Sequence, residues 1–130
     1  MSKELPPLPE NFTYSKEHEW VEQLSDGIAR VGITAVATDA LGEIVFVEPP
    51  QPGTTVTAGD VCGEVESTKS VSDVYSPVSG EVVDVNAVAV DDPAKVNSDP
   101  YGDGWLFTVK VSAEGELMSA AEYGELNKLG

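Results

Sequence analysis

The sequence contains very few residues of the kinds that hold metals or form cross-links. It has one cysteine, Cys62, and one histidine, His18, among 130 residues. A single cysteine excludes a disulfide within the chain. No second histidine or cysteine is placed near His18 to complete a zinc site. We therefore expect Cys62 to be a small buried thiol and His18 to have a structural role.

Positive charge is also scarce. Seven Lys and Arg residues face 23 Asp and Glu residues, which gives a net charge of −16. Nucleic acids and anionic membranes attract basic surfaces, so this balance argues against both as partners. No apolar run is long enough to span a membrane, and the first residues lack the pattern of a signal or transit peptide. We expect a cytoplasmic protein, with a soluble acidic monomer as the simplest arrangement.

Short apolar runs separated by glycine and proline predict a mainly β fold with small helices attached. Residues 1–11 are rich in proline and predict a loose arm, which leaves residues 12–130 as one domain. Thr34 predicts the N-cap of a short helix that ends at Gly42. A capping box that begins at Ser119 predicts a C-terminal helix.

Other local signals predict further elements. A turn at residues 25–27 predicts a hairpin. Asp92 followed by Pro93 predicts the start of a helix, with Asp92 as its N-cap. Both tryptophans, Trp20 and Trp105, lie in β-patterned runs, and we expect them to be core anchors. Three further sets complete these predictions: a turn at Pro77, Ser79 and Gly80; a strand over Trp105–Val111; and helix-packing residues Leu117, Tyr123, Leu126 and Leu129.

One internal repeat is visible. The segment Gly-Glu-Ile-Val-Phe-Val (42–47) recurs as Gly-Glu-Val-Val-Asp-Val (80–85), an offset of 38 residues. Two copies of one β unit suggest a pseudo-symmetric barrel or sandwich, since a solenoid needs at least three. Coincidence is the alternative explanation, because Gly-Glu-Val-Val is a common string.

Lys69 is the single cation between Arg30 and Lys95, a stretch that holds eleven carboxylates. It lies in Glu-Ser-Thr-Lys-Ser-Val (66–71), a turn-like segment between two β-patterned runs. A catalytic lysine requires burial or a neighbouring cation, and the sequence offers neither. An exposed lysine with small neighbours is instead accessible to a separate acylating enzyme. We therefore take Lys69 as the residue that carries this protein's chemistry.

Residues 63–82, which contain Lys69, resemble the lipoyl-attachment segment of the glycine cleavage system H protein family. Five further segments follow the family's order over roughly residues 12–125. They are His18-Glu-Trp-Val21, Gly32-Ile-Thr34, Leu41-Gly-Glu-Ile-Val-Phe-Val-Glu48, Asn97-Ser-Asp-Pro-Tyr101 and Gly104-Trp105. This resemblance implies a lipoyl-type hybrid barrel–sandwich, with two small antiparallel sheets related by a pseudo-twofold axis.

The resemblance also implies lipoic acid in amide linkage to Lys69, in a carrier that is not itself an enzyme. Its dithiolane would accept the aminomethyl group of glycine from a pyridoxal-phosphate-dependent (PLP-dependent) glycine decarboxylase. The loaded arm would pass that group to a tetrahydrofolate-dependent aminomethyltransferase. Dihydrolipoamide dehydrogenase would reoxidise the arm, and a lipoate-attachment enzyme would install it.

Members of this family shelter the loaded arm in a cleft on the carrier, where carboxylates suit the cationic amine. Glu19 and Asp73 match acidic residues of that cleft. Many relatives carry serine at the position of Glu17, so Glu17 is a third candidate, with a charge where they have a hydroxyl. For each of these residues the alternative is a solvated surface carboxylate.

Three other functions are compatible with parts of the sequence. A lipoyl domain of a 2-oxo acid dehydrogenase is usually joined by linkers to further domains, whereas this chain ends soon after its core. A biotin carrier flanks its lysine with methionine, where this chain has Thr68 and Ser70. A β interaction module would leave Lys69 unmodified.

Overall fold

The computed structural model describes residues 6–127, which form nine strands and four short helices. In chain order the elements are β1 (Thr13–Tyr14), β2 (Glu19–Gln23), β3 (Ile28–Ile33), α1 (Ala35–Leu41), β4 (Ile44–Glu48), β5 (Thr55–Val56), β6 (Val61–Ser67), β7 (Val71–Tyr75), β8 (Val78–Val85), α2 (Ala87–Asp91), α3 (Ala94–Ser98), β9 (Phe107–Glu114) and α4 (Ala120–Leu126). The predicted hairpin at residues 25–27 is confirmed, since it joins β2 to β3.

The strands form two antiparallel sheets that enclose one apolar core. The larger sheet has the order β1-β2-β3-β9-β8-β5, and the smaller has the order β4-β6-β7. Alternate side chains along each strand point inward, so both sheets contribute valines to the core, such as Val31 and Val82 from the larger sheet and Val47 and Val65 from the smaller. The predicted mainly β fold with a C-terminal helix is confirmed.

The internal repeat corresponds to a bulged strand in each sheet. The register of β4 shifts between Ile44 and Phe46, and that of β8 shifts between Val82 and Asp84. These bulges are 38 residues apart, the offset of the repeat. Ile44 and Val82 are both buried, whereas the bulged Val45 and Val83 that follow them are exposed. The two copies therefore share a β-bulge as well as sequence similarity.

The predicted ends of the first and last helices are confirmed. The Thr34 side chain accepts a hydrogen bond from the Ala37 N–H, and Gly42 ends α1 with a φ of 85°. The capping box at Ser119 opens α4. Tyr123 packs fully buried and Leu117 partly so. Leu126 is 61% exposed, so its predicted packing role is wrong, and Leu129 lies outside the described residues.

Two predictions from turn signals are wrong, and one strand boundary differs from the prediction. Ser79 and Gly80 lie inside β8 because the strand is paired there, and a side chain at Gly80 would lie 2.1 Å from the Lys110 carbonyl oxygen. Asp92 is the C-cap of α2, a helix that the sequence did not predict, so Pro93 becomes the N-cap of α3. The predicted strand over Trp105–Val111 is present as β9, but it begins at Phe107 and extends to Glu114.

A second cluster packs α4 against the edge of the larger sheet. Phe12, Tyr14, Trp20 and Tyr123 are buried together, with Leu8 partly buried against them. Trp20 is therefore a core anchor, as predicted. The Tyr14 hydroxyl donates to the Pro9 carbonyl oxygen at 2.6 Å, so residues 8 and 9 of the predicted arm contact the fold.

Candidate functional site

Lys69 lies at the tip of the β6–β7 hairpin, in a turn closed by its own hydrogen bonds. The Ser67 N–H donates to the Ser70 carbonyl oxygen at 2.8 Å. The Ser67 hydroxyl oxygen accepts from the Lys69 N–H at 3.2 Å and from the Ser70 N–H at 3.0 Å. The local sequence folds this way because a serine hydroxyl bonds readily to backbone groups two and three residues ahead.

The turn is also tethered to the residue that precedes β4. The Thr68 N–H donates to the Glu43 carbonyl oxygen at 3.0 Å. The Lys69 stem passes Gly42, where an added Cβ would lie 3.5 Å from Lys69 Cε. Lys69 is exposed, and no carboxylate in residues 6–127 forms a salt bridge with its ammonium group. The predicted accessible lysine on a fixed hairpin tip is confirmed.

This geometry fits an amide-linked prosthetic group. Thr68 and Ser70 flank the lysine, are exposed, and are small enough to leave Nζ open to an enzyme. The backbone of the turn is anchored by hydrogen bonds, while the Lys69 side chain is exposed. A group attached to Nζ therefore gains a long flexible stem on a rigid base.

The outward face of the smaller sheet is acidic next to this hairpin. Glu64 lies between Glu48 and Asp73 across the three strands, and Glu66 follows on the same face. Desolvation and the neighbouring carboxylates raise the pKa of Glu64. Asp73 is exposed on this face, partway along β7 from the lysine turn.

Glu19 is not a solvated surface carboxylate, because it is only 2% exposed. Its Oε1 accepts from the Ser15 hydroxyl at 2.6 Å, and its Oε2 accepts from the Tyr75 N–H at 3.2 Å. Burial raises the pKa of Glu19 to about 7, against the lowering effect of the hydrogen bonds from Ser15 and Tyr75. Glu19 therefore joins the start of β2 to the end of β7.

A cavity of about 600 Å³ opens at this end of β7. Glu17 lines it, together with Ser15 and Tyr75, the two residues that bond Glu19. Glu19 thus lies behind the wall of the cavity. Asp73 is outside the lining, two residues before Tyr75 on the side nearer the lysine. The fold brings Glu17 and Glu19 to one place and leaves Asp73 on the path between that place and Lys69.

Ser15 and Tyr75 were not singled out from the sequence. Tyr75 lies inside the lipoyl-type segment, but nothing in the sequence indicates that its backbone N–H bonds Glu19. Ser15 lies four residues before Glu19, and outside a helix this spacing does not predict a contact. The hydrogen bond between them depends on the turn between β1 and β2. Both residues act through contacts that the tertiary structure creates.

His18 and Cys62 have the structural roles expected of them. His18 Nδ1 lies 2.5 Å from the Tyr123 hydroxyl, which also lies 2.8 Å from the Thr34 hydroxyl. Cys62 packs against the core, and burial raises the pKa of its thiol to about 12, which suppresses the reactive thiolate. Within residues 6–127, no three His, Cys, Asp or Glu side chains are grouped as metal ligands, and no helix has the length and apolar character needed to cross a membrane.

Comparisons with known proteins agree with this geometry. The family model described as glycine cleavage H-protein matches residues 12–129. The chain is 58% identical over 122 residues to a protein of Thermobifida fusca (strain YX) named glycine cleavage system H protein, and the match covers 93% of this chain and 96% of that protein. A protein of the same name from Corynebacterium aurimucosum is 56% identical over 124 residues, covering 92% and 95% respectively.

A solved structure has the same fold. The crystal structure of a glycine cleavage system H protein from Mycobacterium marinum superposes with a TM-score of 0.91 at 52% sequence identity. The match covers 94% of this chain and all of that chain. The chain described here therefore belongs to the glycine cleavage H-protein family.

Proposed function

We propose that this protein is the lipoyl carrier of a bacterial glycine cleavage system, that it acts in the cytoplasm, and that it has no catalytic activity of its own. The observation that carries the proposal is the exposed Lys69 amine on a hydrogen-bonded hairpin tip. The attachment enzyme would remove a proton from Nζ, and Nζ would then bond to the activated carboxyl carbon of lipoic acid and displace the activating group. Once bound, the dithiolane would supply a disulfide that can take up the aminomethyl group of glycine on one sulfur as the decarboxylase releases CO₂, with the other sulfur left as a thiol.

The proposed partners all have to reach the same arm. They are the PLP-dependent glycine decarboxylase, the tetrahydrofolate-dependent aminomethyltransferase, dihydrolipoamide dehydrogenase and the lipoate-attachment enzyme. A tethered group meets each docked active site at high effective concentration, so weak docking is sufficient. The net charge of −16 favours rapid, transient encounters with basic surfaces on these enzymes.

Intact mass of the protein purified from a lipoate-sufficient host tests the proposal. A lipoyl increment on the Lys69 peptide supports it, whereas a biotinyl increment or no increment contradicts it. Glycine–bicarbonate exchange with purified decarboxylase then separates a glycine cleavage carrier from a lipoyl domain of a 2-oxo acid dehydrogenase. If the lipoylated protein does not support this exchange, it is a lipoyl domain of a 2-oxo acid dehydrogenase and not a glycine cleavage carrier.

We further propose that the loaded arm lies along β7 with its amine at the cavity. Glu17 lines that cavity, Glu19 lies behind Ser15 and Tyr75, and Asp73 is on the way from Lys69. A cationic amine there is attracted to all three carboxylates. The buried Glu19 contributes most, because few water molecules screen it.

Glu19→Gln is expected to leave lipoyl attachment unchanged and to shorten the lifetime of the aminomethyl-loaded form. The amide keeps the shape of the side chain but removes the charge, so the attraction between the buried carboxylate and the cationic amine is lost. At about 10 Å and an effective dielectric constant of about 20, this attraction is about 1.5 kcal/mol, which corresponds to release that is about tenfold faster. Release of the aminomethyl group is measured at pH 8 in the absence of the transferase.

Glu81→Gln is the matched control for this measurement. Glu81 is exposed on β8 of the larger sheet, so its replacement removes the same charge away from the cavity. We expect the control to release its aminomethyl group at the wild-type rate. A Glu19→Gln lifetime equal to that of the control would reject the cleft role of Glu19.

A further inference from the structure

The carboxamide of Asn97, on α3, holds the backbone that connects α1 to β4. Its Nδ2 donates to the Gly42 carbonyl oxygen at 2.9 Å, and its Oδ1 accepts from the Ile44 N–H at 2.8 Å. One partner is an acceptor and the other a donor, so the orientation of the amide is determined. Asn97 therefore satisfies the backbone groups on both sides of Glu43.

The residue between those two groups supports the lysine turn. The Glu43 carbonyl oxygen accepts from the Thr68 N–H at 3.0 Å, and Ile44 pairs with Ser67 at the end of β6. A single peptide segment, residues 42–44, thus has Asn97 on one side and the turn of Lys69 on the other. Movement of this segment would move the turn.

Asn97 bonds this segment at the junction between a helix and a strand. Gly42 has left the helix with a φ of 85°, so its carbonyl oxygen has no place in the α1 hydrogen-bond pattern. The ladder between β4 and β6 is irregular immediately afterwards, between Ile44 and Phe46. Asn97 therefore adds two hydrogen bonds to a segment that is otherwise held by the Gly42 N–H bond to the Thr38 carbonyl oxygen at 2.9 Å and by the pairing of Ile44 with Ser67.

We propose that Asn97 is a positioning residue for acylation of Lys69. It acts through residues 42–44, which set the position and orientation of the lysine turn relative to the rest of the fold. The proposal rests on the proposed carrier function. An attachment enzyme must bring Lys69 Nζ into line with an activated acyl carbon, and misplacement by about 1 Å is enough to slow such a step strongly. Asn97 does not touch Lys69, so its effect is on where the amine is presented.

Asn97→Ala is expected to lower the kcat/KM of lipoyl attachment by about tenfold, measured with a purified lipoate ligase at a temperature where every variant is folded. Amide hydrogen exchange gives a second readout that does not depend on any enzyme. We expect the Thr68 amide, bonded to Glu43, to exchange about tenfold faster in the variant. Asn97→Asp is expected to show the same defects. The carboxylate oxygen that replaces Nδ2 cannot donate a hydrogen bond to the Gly42 carbonyl oxygen, and the two oxygens repel each other.

Asn86→Ala is the matched control. Asn86 is also an asparagine that holds a connection, since its Nδ2 donates to the carbonyl oxygens of Asp103 and Trp105 at 2.7 Å each. Its loss should destabilise the fold without changing ligase kcat/KM or Thr68 exchange. The proposal is overturned if Asn97→Ala retains wild-type values of either quantity, or if Asn86→Ala lowers kcat/KM as much. If the wild-type protein accepts no lipoyl group, the proposed function fails and the proposal fails with it.

Discussion

Replacement of Lys69 by arginine is expected to abolish lipoyl attachment and carrier activity while the fold remains intact. The lysine side chain is exposed and makes no salt bridge in the described part of the chain, so its removal costs no core contact. Surface changes of this kind alter stability by about 0.5 kcal/mol or less. The guanidinium stays protonated and is not a nucleophile, so no amide can form. Intact mass and glycine–bicarbonate exchange measure the two losses.

Lys110→Arg provides the control for this substitution. Lys110 is an exposed lysine on β9, in the larger sheet. Its Nζ donates to the Asp26 carbonyl oxygen at 2.9 Å, away from the β6–β7 hairpin that carries Lys69. We expect this variant to be lipoylated and active. A lipoyl group found on the Lys69→Arg protein, or full exchange activity without one, would end the carrier hypothesis.

Replacement of Glu19 by glutamine is expected to remove a pH-dependent loss of stability. Burial raises the pKa of Glu19 from 4.5 to about 7, so the folded protein binds this proton more tightly than the unfolded chain does. The free energy of unfolding therefore falls as pH rises from the lower to the higher pKa. Over this window the wild-type protein should lose up to about 3 kcal/mol relative to the Gln variant.

Urea denaturation of both proteins at pH values from 4.5 to 8 measures this difference. His18 titrates with the opposite slope, because burial lowers its pKa, but it is present in both proteins and cancels in the comparison. Cys62, whose pKa is raised to about 12, stays neutral throughout. Parallel stability curves would show that Glu19 is ionised at no cost in the folded protein and would contradict its placement behind Ser15 and Tyr75.

The accessible lysine was predictable because the interactions that present it are local. Ser67, Lys69 and Ser70 form a turn through hydrogen bonds between residues no more than three apart. The caps at Thr34 and Ser119 were predictable for the same reason, since a capping side chain bonds to a backbone N–H within three residues. Contacts between residues no more than three apart can be predicted from the sequence without knowledge of the fold.

The errors arose where a competing contact, near or distant in the chain, outweighed the signal in the composition. Gly80 has the composition of a turn, yet close approach to the Lys110 backbone places it within a paired strand. Asp92 has the composition of an N-cap, yet its N–H closes α2 by donating to the Val88 carbonyl oxygen at 2.8 Å. Leu126 follows the helical spacing of a packing residue, but α4 presents Tyr123 to the core and leaves Leu126 in water.

The sequence by itself determined the fold class, the family and the exposed lysine at the hairpin tip, because these depend on strand patterns, turns and contiguous motifs. The tertiary structure alone decided that Glu19 is buried and bonded to Tyr75, that Glu17 lines a cavity beside it, and that Asn97 supports the lysine turn. The residues in these contacts are far apart in the chain. Their burial and their pKa values follow from the packing of two sheets, which no local pattern encodes.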